Sequence, residues 1–272
     1  MAETNNENKS GGGPWIPLES NPEWAVKAGL IQSQAHFEDI YGLDAELLAM
    51  VSQPAKAVIL LFPITEPYEQ KRREEDNRIA EEGQHPVDPT LFWMKQTASC
   101  AANGLLHRVQ YPLTRNNESD IQRMWYHGAL ALVGQHVTFA PESPIEKFID
   151  VCKDKTPEER AKILETTPLF ANIHADAASG GQTAVPADLA TDLHFTCFVR
   201  APNPPSREEG TPASPDGMRL IELDGRRVGP IDRGPCTDFL ADVAKLVRNL
   251  YVAHTASMHF SMIALCEGPN PE

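Results

Sequence analysis

AKAVILLFPI, residues 55–64, is the stretch whose reading sets the architecture. It is apolar almost without interruption, and Pro54 and Pro63 bracket it. A short apolar run closed by proline reads as a strand apolar toward both faces, and such a strand needs packed layers above and below it. Upstream, HFEDIYGLDAELLAMV predicts a strand over about 37–41 and then a brief helix capped by Asp44. Further back, WIPLESNPEWAVKAGL predicts a helix with Ser20 or Asn21 as its cap, Pro22 at its first position and Glu23 in its first turn. Residues 1–13, MAETNNENKSGGG, are polar and glycine-rich, and are expected to be a disordered tail.

Downstream, Tyr68 to Asp88 is densely charged and reads as a solvent-exposed helix or mobile connector. Arg115 to Ala140 fits no simple template and is read as irregular or helical. Ser143 with Pro144 starts one helix, and Thr156, Pro157 and Glu159 form a capping arrangement for the next. His174 to Asp188 is a Gly/Ala/Pro-rich loop, long enough to suggest a functional role. In DLHFTCFVR, residues 192–200, alternation puts Leu193, Phe195, Cys197 and Val199 on one face and His194, Thr196 and Phe198 on the other. A Pro/Ser/Gly connector follows, then MRLIELDGRRVGPI, a strand pair turned at Asp224-Gly225. FLADVAKLVRNLYVAH is an amphipathic helix and HFSMIALC a last strand. Helices and strands segregate along the chain, the pattern of an α+β fold with an antiparallel or mixed sheet.

With 24 Lys and Arg against 38 Asp and Glu, the net charge of -14 argues against a nucleic-acid partner, which needs clustered cations. It suits either a basic protein partner or plain solubility. Cys100, Cys152, Cys197, Cys236 and Cys266 show no CxxC or Cys/His ligand spacing. Their odd number and wide separation point to a reducing compartment, away from a disulfide framework or zinc site. No secretory signal and no apolar run of the roughly 18 residues of a membrane helix is visible. A soluble intracellular protein is expected, with no membrane partner, no metal and no cofactor.

The chemistry-bearing stretch is FWMKQTASCAANGLLH, residues 92–107. Cys100 precedes a small and apolar run that reads as a helix start, where free N–H groups and the dipole favour a thiolate. Gln96, just upstream, is an amide able to donate to an oxyanion. A cysteine before an apolar helix is equally how a packed small hydrophobe looks. His194 on one strand and Asp224 at the end of the next complete the types of a cysteine-protease triad, although a histidine in a sheet is also commonly structural.

WIPLESNPE, YGLDAELLAMV, AVILLFPITEPYE, FWMKQT, CAANGLLH, SPIEKF, TPEERAKILE, GGQTAVP, DLHF and ELDGR, taken in order from Trp15 to Leu265, closely resemble the ubiquitin C-terminal hydrolase family of papain-like cysteine proteases. The short C-terminal end resembles the single-domain members. The resemblance implies a papain-like α-β-α domain over residues 14–267, with a central six-stranded antiparallel sheet, a knotted backbone and a short tail at 268–272. It also implies hydrolysis of amide, ester or thioester bonds at the C-terminal glycine of ubiquitin, with Cys100 as nucleophile, His194 as base and then acid, Asp224 orienting His194, and Gln96 as oxyanion donor. Pro17, Leu18, Glu19, Asn21 and Pro22 match a segment bordering the ubiquitin groove. Ser179, Gly180, Gly181, Gln182 and Thr183 match the crossover loop over the substrate tail, and Met258, His259 and Phe260 match another contact segment. Ubiquitin, with ubiquitin-like proteins open, is the partner implied, and its Arg-rich tail would suit the acidic charge. A cytoplasmic monomer, with nuclear access open, is the expectation.

The chain departs from the family pattern in three places. Cys100 stands four positions after Gln96, as though an Asn-Ala pair before the cysteine were missing. Read with that gap, Gly104, Leu105 and His107 fall in register; read without it, Ala102 takes the nucleophile position. The segment 115–140 and the connector 201–217 are also longer than the family's. The shortened loop raises an alternative, a ubiquitin-binding module with impaired catalysis, because an oxyanion donor works only at about 3 Å.

Overall fold

The computed structural model describes residues 22–83, 86–95, 138–167, 193–204, 214–255 and 259–269. In chain order the elements are α1 (Pro22–Ala28), β1 (Ala35–Asp39), α2 (Ala45–Leu48), β2 (Ala55–Pro63), α3 (Glu66–Glu82), α4 (Pro144–Cys152), α5 (Pro157–Thr166), β3 (Leu193–Pro202), β4 (Met218–Leu223), β5 (Ile231–Pro235), α6 (Phe239–Leu250), a 3-10 turn (Val252–His254) and β6 (Ser261–Glu267). The six strands form one sheet in the order β1-β6-β2-β3-β4-β5, and every neighbouring pair is antiparallel.

The stretch at 55–64 is indeed interior. β2 is hydrogen-bonded to β6 on one side and β3 on the other. Its side chains alternate between two apolar layers. Ala57 and Ile59 join Cys197, Val199, Ile221, Leu223, Ile263 and Leu265 under α1, α4, α5 and the segment Phe92–Met94. Val58, Leu60 and Phe62 join Phe198, Leu220, Met262 and Ala264 under α6, Leu48 and Tyr68. The result is an α-β-α sandwich, and the alternation expected for β3 follows the same division, with Cys197 and Val199 on one layer and Phe198 on the other.

Helix ends follow their capping chemistry. Thr156 accepts from the Glu159 amide at 3.2 Å while Glu159 accepts from the Thr156 amide at 2.8 Å, a reciprocal box that starts α5. Ser143 accepts from the Glu146 amide at α4, and Asp238 from the Ala241 amide at α6. α6 buries Phe239, Leu240, Val243, Ala244 and Val247 on one stripe, and each large side chain so buried contributes about 1.5–3 kcal/mol. Pro22 opens α1 as expected, whereas its proposed caps Ser20 and Asn21 lie outside the described residues.

Four expectations need correction. β1 begins two residues earlier than the periodicity suggests, because its extent is set by pairing with β6 from Ala35↔Glu267 to Asp39↔Ile263. Asp44 precedes α2 but makes no capping hydrogen bond; its carboxylate lies 3.4 Å from Arg248 instead. The turn after β4 is not a two-residue hairpin: Asp224 to Pro230 separate the strands, since Asp224 is drawn inward. The charged segment at 68–88 contains a regular helix, α3, and part of its charged face is buried against the β4–β5 turn, as with Glu69.

Candidate active site

β3 and β4 carry the histidine and the aspartate to the same face. Their register sets Cys197 opposite Leu223, so Thr196 stands opposite Asp224 and His194 lies one step along the same face. His194 Nε2 and Asp224 Oδ1 are 2.9 Å apart, with the two residues 2% and 1% exposed. Phe62 meets the imidazole edge-on at 5.5 Å between ring centroids. Tyr68 and Tyr251 pack against Phe62 in turn, so apolar rings wall this side of the histidine.

Asp224 is held at both its carboxylate and its backbone. Oδ1 also accepts from the Arg226 amide at 2.8 Å, a local turn that a short acidic side chain makes readily. Burial pushes the carboxyl up, but the charge and hydrogen bond of His194, with the Arg226 amide and guanidinium, pull harder and hold it well below the usual carboxylate range. Asp224 is therefore ionised and able to stabilise an imidazolium. Its carbonyl accepts from Trp93 Nε1 at 3.2 Å, and Lys95 Nζ donates to the Arg227 carbonyl at 2.5 Å. The segment that leads into Gln96 is thus docked on the turn that carries the aspartate.

A charged network supports the turn from α3. Two Arg226 guanidinium nitrogens lie 3.0 Å from the two Glu69 carboxylate oxygens. Arg227, 1% exposed, donates to Asp76 at 2.7 Å and to Glu75 at 2.5 Å. Behind the His-Asp pair, the fully buried Glu222 accepts from Thr196, Tyr251 and Arg233. None of these supporting residues is marked by the sequence reading, which took the α3 charges as solvated. The Arg226-Arg227 doublet beside Asp224 is the one signal that could have suggested acidic partners elsewhere.

Of the candidate residues, the structure brings His194 and Asp224 together. Gln96, Cys100, Pro17, Leu18, Glu19, Asn21, Ser179, Gly180, Gly181, Gln182, Thr183 and Met258 lie outside the described residues. Pro22 opens α1. His259 is exposed, and Phe260 is half-buried against the apolar layer under α6.

A buried histidine on one strand bonded to a buried aspartate just past the end of its antiparallel neighbour is an arrangement able to serve as the acid–base half of a cysteine-protease centre, and comparison with known proteins gives the same direction. The model of ubiquitin carboxyl-terminal hydrolase, family 1, matches residues 15–251. Ubiquitin carboxyl-terminal hydrolase 3 of Arabidopsis thaliana is 32% identical over 92% of this chain and 93% of its own length. A ubiquitin carboxyl-terminal hydrolase of Drosophila melanogaster is 33% identical over 92% of this chain and 96% of its own. The crystal structure of the UCH37 catalytic domain of Trichinella spiralis, bound to ubiquitin vinyl methyl ester, shares the fold with a TM-score of 0.60 at 15% identity, over 96% of this chain and 99% of that one. The chain belongs to ubiquitin carboxyl-terminal hydrolase family 1.

Proposed function

We propose that this protein is a thiol-dependent hydrolase acting at the C-terminal glycine of ubiquitin, with Cys100 as nucleophile and His194, Asp224 and Gln96 as its catalytic partners. The observation that carries the reading is the buried 2.9 Å contact between His194 Nε2 and Asp224 Oδ1, joined to membership of the family. Asp224 holds Nε2, so Nδ1 is the ring nitrogen that takes the Cys100 proton. The thiolate attacks the glycine carbonyl carbon, and the Gln96 amide donates to the oxygen as it becomes negative. Collapse breaks the carbonyl–nitrogen bond, and the proton held on His194 passes to the leaving amine. Water, deprotonated by the same imidazole, then hydrolyses the thioester and frees both enzyme and ubiquitin.

The anchoring of Trp93 and Lys95 on the Asp224 turn favours this arrangement. Cys100 is five residues past Lys95, and a chain of that length extends at most about 18 Å. The segments at 17–22, 179–183 and 258–260 are proposed to contact ubiquitin, and the enzyme to act as a cytoplasmic monomer.

Ubiquitin bearing a fluorogenic C-terminal amide tests the reading. Release of the dye by the parent protein and loss of release in Cys100→Ala are expected. A ubiquitin probe with an electrophilic C-terminus should label Cys100. Ubiquitin binding without turnover or labelling would overturn hydrolysis in favour of a silent binding module, which the short Gln96–Cys100 spacing would then explain. Turnover surviving in Cys100→Ala would overturn the assignment of the nucleophile.

A further inference from the structure

At the opposite end of the sheet from β5, the pairing of β1 with β6 assembles a side-chain cluster that the hydrolase chemistry does not use. His36 stands directly opposite Cys266 across the two strands, and Glu38, two residues on, projects from the same face. His36 Nε2 or Nδ1, a Glu38 carboxylate oxygen and Cys266 Sγ all lie within 4.8 Å of one another. Sequence spacing hides the set, because it is made by register between the N-terminal and C-terminal strands of the sheet. From the geometry we infer that His36, Glu38 and Cys266 form a binding site for a borderline-soft divalent cation such as Zn²⁺.

The hydrogen positions on His36 support this. Its Nδ1 is 2.7 Å from the carbonyl of Gly268, which can only accept, so Nδ1 carries the hydrogen and Nε2 is the coordinating nitrogen. A ligating histidine is commonly oriented by such a carbonyl. Nε2 then faces Glu38 Oε1 at 2.8 Å, and two electron-rich atoms at that distance need an electropositive centre between them, a proton or a metal ion. The Ser52 amide and hydroxyl hold the Glu38 carboxylate in place at 2.8 and 2.6 Å.

Imidazole, carboxylate and thiolate are all ligands of zinc, at about 2.0–2.3 Å. Tetrahedral bonds of that length separate ligand atoms by roughly 3.3–3.6 Å, so the His36–Glu38 pair would open by about 0.5 Å, within the reach of small side-chain rotations. The side chains of His36 and Glu38 are 6% and 17% exposed, which places the entry on the Glu38 side, where water can take the fourth position. On binding, the metal–sulfur and metal–nitrogen bonds form as the Cys266 S–H bond and the N–H bond at Nε2 break, and both protons leave to solvent. The ion would clip β1, which among the described strands pairs with β6 alone at the edge of the sheet, to the C-terminal strand.

The test uses the full chain carrying Cys100→Ser, so that the catalytic thiol contributes nothing. Addition of Co²⁺ should give one equivalent of a sulfur-to-cobalt charge-transfer band, displaced by Zn²⁺. Zn²⁺ at 100 times its Kd should raise Tm by about 5–10 °C. Adding Cys266→Ser should abolish the band. Adding Glu38→Gln, which leaves the buried thiol in place, should weaken Co²⁺ binding at least tenfold with unchanged circular dichroism. Absence of the band in the Cys100→Ser protein, a band that persists in Cys266→Ser, or full-strength binding in a folded Glu38→Gln variant would each overturn the site.

Discussion

Asp224 Oδ1 lies between the His194 ring and the Arg226 amide, and that position fixes both its charge and its task. Asp224→Asn removes the charge that stabilises the imidazolium and lets the ring adopt the wrong tautomer. A fall in kcat of up to about 10⁴ is expected, with KM and ubiquitin affinity little changed; steady-state kinetics beside a binding titration measures the split. The same carboxyl carries a stability signature. Its folded pKa is depressed, so its contribution is fully present above the unfolded value of about 3.9 and is lost as pH falls through the folded one. Urea midpoints measured from pH 5 downward should drop less steeply for Asp224→Asn than for the parent below about pH 4. An equal slope would show that the depression does not exist in solution.

At the scale of elements, α3 and the β4–β5 turn form one unit through buried and half-buried ion pairs. Arg227→Ala leaves Glu75 to Arg233 and Asp76 to Arg72, and empties a site where the side chain is 1% exposed, so it should cost about 1–3 kcal/mol in chemical denaturation. Arg227→Met keeps much of the volume but still removes one cation from each of those carboxylates, so it should recover only part of that loss; full recovery would show that packing rather than charge is what Arg227 supplies. α5 offers a simpler case. Thr156→Ala removes the capping acceptor at an exposed helix start and should cost about 1 kcal/mol without altering turnover. The contrast separates helices that only cover the sheet from the helix that holds the turn carrying Asp224.

For the whole molecule, charge is the property left to act at a distance. A net charge of -14 directed at a partner with a basic C-terminal tail should speed encounter, and screening should undo it. Raising salt from 0.05 to about 0.5 M should lower kcat/KM severalfold through the association rate while leaving kcat unchanged. A salt-independent kcat/KM would mean that the acidic surface serves solubility alone.

The amino-acid sequence by itself determined the interior strand at 55–64, the alternation of β3, the capped starts of α4 and α5, and the family. Each of these depends on neighbours close along the chain or on ordered motifs. His194 and Asp224 were legible as candidates because a base and an orienting acid have few chemical substitutes, yet their 2.9 Å contact comes from the register of β3 on β4. Tertiary structure alone decided that the buried Glu69 and the half-buried Glu75 and Asp76 are partners of Arg226 and Arg227, and that His36 meets Cys266 across 230 residues of chain. Local patterns report how a segment folds against its own period. Which charged faces lose water is a matter of what packs on them from elsewhere, and no window of sequence contains that information.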